Sequence, residues 1–408
     1  MNILIFSKHY SPEPFLIHSL SKELSKKKTN VYVLTSQPSY PFNSIYKGYK
    51  GFSFSSETLD GIHIYRVPTI PRLKTNSLLI SLNYFCFFFF SMFFGIYLAI
   101  NKKINIIFVY ATSPMIQAFF SIPAKLFSNA KMVVWIQDLT PDDIVNSGFI
   151  SNVFFINFIK KIVDSIYINS ELLLIQSRAL KKSINKLHWK KVIFYPNPVF
   201  NSYSQSIPKN VKLHIDNIFI RNKFYITFAG NIGISQDINS LISVAQIFKS
   251  RRLNKFHFLV FGDGSLEKEL KVKILEYNLT NISLGGFFDK SAMPYIYMKS
   301  DCLYSTLLDR PSFSKIVPYR VHDYLTSGKP LITGINGEVF RLVKTHNLGV
   351  ACPAEDPAAL ARGIIRISSF GARELRAIHN NSLSYVKKNL EITKQAIQLY
   401  KLFKALIK

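Results

Sequence analysis

Cysteine and tryptophan are scarce in this 408-residue chain, which contains three of the former and two of the latter. Cys86, Cys302 and Cys352 lie far apart, so their spacing fits neither a disulfide framework nor a zinc site. This cysteine usage favours a reducing, cytoplasmic setting. The first residues, MNILIFS, lack a basic segment and a cleavage site, so the sequence predicts no signal peptide.

Acidic residues are also few: 24 Asp and Glu stand against 51 Lys and Arg, which gives a formal net charge of +27. Both halves of the chain are basic, and this even spread argues against a basic nucleic-acid-binding tail. It fits attraction to an anionic membrane surface or to phosphorylated substrates. No Asp-x-Asp pair and no His/Cys cluster is placed for a metal, so the sequence predicts no metal site.

Charge is absent from residues 78–100, a run long enough to span a bilayer. The apolar runs 2–7 and 105–110 on either side of it are expected to be strands of one sheet, and a single crossing would place them on opposite sides of the membrane. The sequence therefore predicts a helix packed on the sheet, with an apolar surface that enters lipid. A wholly buried helix is the alternative. The expected surface residues are Phe87–Phe90, Phe93 and Phe94.

Hydrophobic residues make up 48% of the chain, which excludes disorder, and the length allows two domains. Two series of strands, loops and helices predict two doubly wound parallel sheets. We expect a first domain over 1–200, an irregular linker over 201–222 and a second domain over 223–380. A C-terminal helix over 381–408 is expected to pack back on the first domain.

In the first domain, polar side chains follow two predicted strands. His9 and Glu13 come after the strand 2–7, and Asp138 comes after the strand 132–136. Ligands bind at the carboxyl ends of strands in such sheets. Glu13 either contacts a hydroxyl group of a ligand or belongs to a plain proline turn, and Asp138 either lines the site or caps a helix near Pro141.

In the second domain, residues 309–338 read as a loop, a short helix, Gly-Lys-Pro and a strand. Asp323 lies three residues beyond Arg320, on the same helical face. A carboxylate and nearby cations at a helix entrance fit a sugar nucleotide, with the carboxylate on the ribose and the cations on the diphosphate. A surface helix with ordinary charge pairs is the alternative.

Glycines mark two further loops of this domain. Those at 230 and 233 allow backbone amides to approach a phosphate, and Gly262 begins a turn after the strand 258–261.

These motifs together resemble the donor-binding elements of retaining glycosyltransferases of family 4. The resemblance is to the bacterial subgroup that builds O-antigen, capsule and colanic-acid-type polysaccharides and includes N-acetyl-fucosamine transferases. It rests on Lys315 to Pro318, on Ser327 to Pro330, on the Ala-Gly-Asn-Ile-Gly loop from 229 and on Gln-Asp-Leu-Thr-Pro from 137. The positions where the subgroup usually has Ser, Lys and Glu hold Tyr319, Arg320 and Asp323.

The resemblance also implies which cations bind the donor. Many family members carry Arg and Lys at the positions of Asn231 and Gln236. Lys315 and Arg320 are therefore expected to replace the lost charges, although Arg prefers planar, bidentate contacts.

The resemblance implies the GT-B arrangement of two Rossmann-like lobes facing a cleft. It implies metal-independent transfer of an N-acetylated deoxyhexose or hexosamine from a UDP-sugar, without a further cofactor, to a polyprenyl-diphosphate-linked glycan of a cell-surface polysaccharide. The protein is expected in the cytoplasm, peripheral or monotopic at the inner face of the cytoplasmic membrane. A non-catalytic membrane-surface binding protein with a degenerate donor site, or a GT-B nucleotide-sugar epimerase, is the alternative.

The residues to which the resemblance assigns roles fall into three groups. The catalytic group is Asp138, Lys315 and Arg320; the donor-binding group is Gly230, Asn231, Gly233, Gln236, Gly262, Lys315, Pro318, Arg320 and Asp323; and the acceptor-binding group is His9, Glu13 and Asp138.

Overall fold

A computed structural model describes residues 1–40, 42, 44–71, 77–142, 145, 152–199, 207–219 and 222–408. The chain divides into two compact units. Unit 1 consists of Met1–Pro196 together with Ile392–Lys408, and unit 2 consists of Asn197–Glu391.

Each unit contains one sheet. The strands are β1 (Asn2–Phe6), β2 (Asn30–Ser36), β3 (Ser55–Leu59), β4 (Ile62–Val67), β5 (Ile106–Ala111), β6 (Lys131–Ile136), β7 (Leu172–Ile175), β8 (Val192–Phe194), β9 (Phe224–Ala229), β10 (Phe256–Phe261), β11 (Ile282–Gly286), β12 (Cys302–Thr306), β13 (Leu331–Gly334) and β14 (Gly349–Cys352). The predicted parallel strands are confirmed to within a few residues. They form because continuous apolar runs, such as the wholly buried IIFVYA of β5, suit a sheet covered on both faces.

The α-helices of the described residues are α1 (Ile17–Ser25), α2 (Ser77–Asn101), α3 (Ile122–Leu126), α4 (Val153–Asn169), α5 (Lys209–Ile218), α6 (Ile238–Ser250), α7 (Glu267–Glu276), α8 (Met293–Lys299), α9 (Tyr319–Leu325), α10 (Glu338–Thr345), α11 (Pro357–Ile367), α12 (Ala372–Tyr385) and α13 (Ile392–Leu406). Several begin at a cap that the sequence encodes. For example, the Asp356 side chain accepts a hydrogen bond from the Ala359 amide, with Pro357 at the first helical position.

Unit 1 has the strand order β3-β4-β2-β1-β5-β6-β7-β8, and unit 2 has the order β11-β10-β9-β12-β13-β14. Every pairing is parallel except that of β3 with β4. The direction of winding reverses between β1 and β5 in unit 1 and between β9 and β12 in unit 2. Loops that follow these strands form the ligand crevice of doubly wound sheets.

Right-handed crossovers fix the sides on which the helices of unit 1 lie. The connection through α1 runs from β1 to β2, towards the β3 edge of the sheet. The connections through α2, α3 and α4 run towards the β8 edge, so these three helices cover the opposite face. The C-terminal helix α13 packs against α1. Its Phe403 ring lies 5.4 Å from the ring of Phe108 in β5.

Three features differ from the sequence predictions. Sequence analysis did not predict β3, a short edge strand that is polar and joined to β4 at Asp60-Gly61. The stretch 201–222, expected to be an irregular linker, contains α5, whose Ile215 is buried in the core of unit 2; residues 200–206 and 220–221 lie outside the described residues. Of the expected 381–408 tail, only Ile392–Lys408 belongs to unit 1.

Candidate active site

The glycine loops of unit 2 meet at the carboxyl ends of β9 and β10. The Gly230 amide donates a hydrogen bond to the Phe261 carbonyl (3.0 Å), and the Ile232 amide donates to the Asp263 carbonyl (2.7 Å). Gly262 has φ +125°, and a Cβ atom there would overlap the Gly230 carbonyl oxygen. Glycine is therefore required at 262 both for its backbone conformation and for the close approach of the two loops.

Arg320 reaches this pair of loops from α9. Its Nη2 donates to the Asn231 carbonyl at 3.3 Å, and its Cζ lies 4.4 Å from the centre of the Phe228 ring. Nη1 is buried, and no hydrogen-bond partner for it exists among the described residues. Burial lowers the pKa of Arg320, yet a guanidinium stays protonated in proteins. An incompletely paired cation thus lies beside glycine loops, an arrangement suited to a phosphate oxygen.

Tyr324, one helical turn after Arg320, holds α9 in place. Its hydroxyl accepts a hydrogen bond from the Ala229 amide (2.7 Å) and lies 3.2 Å from the Ala229 carbonyl. The helix ends as predicted, with Gly328 in the left-handed conformation (φ +68°). Because Tyr324 anchors the helix to the end of β9, Arg320 is directed at the adjacent Gly230 loop.

Asp323, the predicted ribose ligand, is buried. The Tyr297 hydroxyl donates to its Oδ2 at 2.8 Å. Burial raises the pKa of Asp323, and Lys290 and the Tyr297 hydrogen bond lower it only in part. Lys290 donates to the Tyr319 hydroxyl at 3.0 Å. Sequence analysis did not identify Tyr297 or Lys290, because they belong to a different part of the chain.

The other predicted donor-binding residues lie around the same elements. Gln236 is buried, with its Nε2 bonded to the Ser235 hydroxyl and its Oε1 unpartnered among the described residues. Pro318 precedes the first residue of α9. Lys315 ends a short 3-10 helix that begins at Phe313, on the loop that leads into α9. The structure thus brings Arg320 to the Gly230 loop and places Lys315 on the approach to it.

In unit 1, His9 follows β1, at the point where the winding reverses. Its Nδ1 lies 2.7 Å from Glu13 Oε2, and its ring stacks on Phe15. The other carboxylate oxygen of Glu13 accepts from the amides of Ser39 and Tyr40, both at 2.7 Å. Burial would raise the pKa of Glu13, but the hydrogen bonds from His9 and from these amides outweigh it and lower the pKa. Glu13 therefore holds His9 and the 39–40 loop with both of its oxygens.

Asp138 follows β6 and is half-buried at the same edge of the sheet. Nearby, the Thr140 hydroxyl accepts from the Met115 amide at 3.1 Å. The helix that Asp138 would cap lies largely outside the described residues. His9 follows β1 and Asp138 follows β6, and β5 lies between these two strands in the sheet.

Lys8 was not singled out in the sequence, although it lies between β1 and His9. Its side chain is buried, with Nζ 4.7 Å from the Tyr84 ring centre and 3.4 Å from the Asn83 carbonyl. It joins the end of β1 to α2. Within the described ranges, no group of three or more His, Cys, Asp or Glu side chains is placed to hold a metal ion.

The family of group 1 glycosyl transferases matches residues 212–384, the part of the chain that holds the glycine loops and Arg320. The matched residues make up most of unit 2.

A relative of known description is a probable glycosyltransferase, WbjE, from Pseudomonas aeruginosa. It is 23% identical over 268 residues, which cover 63% of this chain and 66% of WbjE, just under two thirds of that protein.

Solved structures of the same fold cover residues 212–384 and the remainder of the chain. Anabaena Alr3699/HepE in complex with UDP superposes with a TM-score of 0.71 at 13% identity, covering 99% of this chain and 100% of that one. The UDP-forming α,α-trehalose-phosphate synthase from Burkholderia vietnamiensis gives 0.72 at 11% identity, covering 99% of each. Sucrose-phosphate synthase from Thermosynechococcus elongatus gives 0.70 at 14%, covering 99% and 98%. The predicted two-lobed GT-B fold is thereby confirmed.

Proposed function

We propose that this protein transfers a sugar from a UDP-sugar to a hydroxyl group of a lipid-linked glycan, with retention of anomeric configuration. The observation that carries the proposal is the buried, unpartnered Nη1 of Arg320 beside the glycine loops at 230 and 262. A diphosphate supplies the anionic oxygens that such a cation lacks. The UDP bound to Anabaena HepE, a structure of the same fold, supports a uridine diphosphate as the donor.

The reaction would break the bond between the anomeric carbon and the β-phosphate oxygen and form a bond from that carbon to the acceptor oxygen. Negative charge grows on the departing diphosphate. Arg320, Lys315 and the amides of the 230–233 loop would stabilise this charge without a metal ion, because fixed dipoles and cations need no reorganisation as the bond breaks. The proton of the acceptor hydroxyl would be transferred to the oxygen of the departing diphosphate, on which the negative charge develops.

His9, Glu13 and Asp138 are proposed to serve the acceptor or the transferred sugar. The contact between His9 Nδ1 and Glu13 orients the imidazole ring, which would bind a hydroxyl group. Glu13 fixes the ring rather than contacting the acceptor. Asp138 lies at the same edge of the sheet and would accept from a sugar hydroxyl.

We further propose that the sugar is an N-acetylated deoxyhexose or a hexosamine and that the acceptor is a polyprenyl-diphosphate glycan of O-antigen or capsule biosynthesis at the cytoplasmic face of the inner membrane. The subgroup motifs around 137, 229 and 315–330 support this assignment.

Calorimetric titration with UDP tests the donor site. Replacing Arg320 by Ala should weaken binding by about 2 kcal/mol, or about thirtyfold, as is typical for a lost hydrogen bond to a charged group. Arg362→Ala, an exposed arginine of α11 in the same unit, is the matched control and should bind like the wild type. Equal UDP affinity of the Arg320→Ala and Arg362→Ala variants would refute the assignment of Arg320 to the donor site.

Incubation with a panel of UDP-sugars and a polyprenyl-diphosphate acceptor then separates the candidate activities. A transferase releases UDP only when the acceptor is present. An epimerase changes the sugar without an acceptor, and a non-catalytic binding protein does neither.

A further inference from the structure

Helix α2 buries two polar side chains and exposes a row of aromatic ones. Asn83 and Ser91, each one turn from the buried Phe87, face the interior and are almost wholly inaccessible. On the opposite side, one turn apart, lie Phe85, Phe89, Phe93 and Tyr97, with 61%, 44%, 55% and 55% of their surface exposed. A helix that covers a core normally turns polar side chains to water, so the exposed aromatic row of α2 departs from that pattern.

Phe87, which the sequence placed on the lipid-facing surface, is thus buried, and Phe85 takes that position. The rotation of the helix is set by Gly95, because a Cβ atom there would clash with the ring of Phe6 in β1. Close contact with the sheet requires glycine on the inner side, and the aromatic side chains are then left outside.

The apolar surface extends beyond α2. Phe52 and Phe54 add their rings to it, 6.0 and 5.5 Å from Phe90. On α3 and α4, which cover the same face of the sheet, further large apolar side chains are exposed. They are Leu126, Phe127, Phe154, Phe155 and Phe158. We call these residues, with the outer side chains of α2, the aromatic face. Monomeric soluble proteins rarely expose a patch of this kind.

Basic residues accompany the aromatic face. Lys50 lies two positions before Phe52, Lys103 follows α2, and Lys160 and Lys161 lie on α4; all four are exposed. Helix α2 carries no acidic residue. Apolar side chains bordered by lysines suit phospholipid headgroups of negative charge, and a second copy of this basic surface would instead repel it.

The topology excludes a membrane-spanning role for α2. Its length and apolar composition would permit one. However, β1 and β5, the strands before and after α2, are hydrogen-bonded neighbours from Ile3↔Ile106 to Phe6↔Val109. Separating them across a bilayer would break this ladder in a region without water, which is costly. The helix also connects directly to the sheet, where the Lys8 Nζ lies 3.4 Å from the Asn83 carbonyl.

We infer that the aromatic face docks unit 1 onto the surface of an anionic phospholipid bilayer, with the axis of α2 lying along one leaflet. This docking does not depend on sugar transfer.

Co-sedimentation of the full chain with vesicles tests the inference. The wild type should bind vesicles of phosphatidylcholine with phosphatidylglycerol more tightly than phosphatidylcholine alone. The triple variant Phe85→Ser, Phe89→Ser, Phe93→Ser should bind at least about tenfold more weakly, because it loses the inserted apolar area. The matched control, Val272→Ser with Leu275→Ser, removes exposed apolar side chains from α7 of unit 2 and should bind like the wild type.

Equal binding by the triple variant, or failure of the wild type to bind anionic vesicles, overturns the inference. A wild-type dimer in sedimentation velocity that the triple variant abolishes, without vesicle binding, would assign the face to a second copy instead. Circular dichroism melting of each variant verifies that it is folded. Tryptophan introduced at Phe89 should be quenched by lipids brominated near the headgroup; quenching greatest at the bilayer centre contradicts interfacial docking.

Discussion

The Nδ1 atom of His9 and the Oε2 atom of Glu13 lie 2.7 Å apart in the interior of unit 1. This pairing fixes the tautomer and orientation of the imidazole and makes Glu13 a positioning residue. It also links the loop after β1 to the 39–40 loop. Because the two side chains act together, we expect mutations of His9 and Glu13 to have coupled rather than independent effects on activity.

Glu13→Gln should lower kcat about tenfold to hundredfold with little change in KM for the UDP-sugar, as is usual when an orienting carboxylate is lost. In a double-mutant cycle, adding Glu13→Gln to His9→Ala should cost almost nothing further. Strictly additive losses would show that Glu13 acts independently of His9. Asp60→Asn, at an exposed carboxylate of the same unit, serves as the control.

A second prediction concerns the contact between the two glycine loops. Gly262→Ala should weaken UDP binding, because the added methyl group must displace the Gly230 carbonyl and with it the loop beside Arg320. Gly286→Ala is the matched control: its φ of +76° is also left-handed, but nothing lies within 4 Å of its Cβ position. Both variants should lose roughly 1 kcal/mol of stability from backbone strain. Identical UDP affinities, measured by calorimetry, would contradict the assignment of these loops to the diphosphate.

Replacing Asp323 separates its effect on folding stability from its predicted role in binding the ribose. Because burial raises the pKa of this carboxyl, its ionised form opposes folding, and its contribution to stability falls as pH rises from 3.8 towards the folded pKa. Asp323→Asn should therefore be at least as stable as the wild type at neutral pH. If Asp323 contacts the ribose, the variant should lose discrimination between UDP and 2′-deoxy-UDP. Retained discrimination would place the ribose elsewhere.

His322, buried in α9, should make unit 2 sensitive to mild acid. Burial lowers its pKa to about 4, against 6.5 when it is exposed. Between these values the unfolded chain binds a proton that the folded chain does not, so stability falls as pH drops from 6.5 to 4, by up to roughly 3 kcal/mol. His322→Gln should flatten this dependence in denaturant titrations, whereas His214→Gln, at an exposed histidine, should leave it intact. A steep dependence in the His322 variant would point to other groups.

Metal independence is tested by chelation. Turnover of the UDP-sugar should persist after dialysis against EDTA, since charge stabilisation is assigned to Arg320, Lys315 and backbone amides. Abolition of activity by EDTA, reversed by Mg²⁺ or Mn²⁺, would show that a metal carries part of this charge.

The sequence predicted most strands and the donor motif because both are local. Parallel strands are uninterrupted apolar runs, and the residues 315–330 follow one another along the chain. Edge strand β3 was missed because its sequence, SSETL, is polar and largely exposed. Partners distant in sequence were missed as well: Tyr297 precedes Asp323 by 26 residues, and the Ala229 amide precedes Tyr324 by 95. Such contacts depend on tertiary packing.

Phe89 and Phe93 are exposed as predicted, whereas Phe87 was wrongly placed on the outward side of α2, for a related reason. A helix that is apolar around its whole circumference has no periodicity from which its buried face can be identified. The decisive residue is Gly95, whose packing against Phe6 becomes visible only when the helix lies on the sheet.

Helix α13 gives the chain a discontinuous first unit, assembled from Met1–Pro196 and Ile392–Lys408. Its Leu399 and Phe403 are wholly buried there, and Gln395 accepts a hydrogen bond from the Tyr195 hydroxyl. All of unit 2 is therefore synthesised before residues 392–408 of unit 1. The sheet face beneath Phe403 remains uncovered until those residues are present, so the N-terminal residues alone cannot close the core of the first unit.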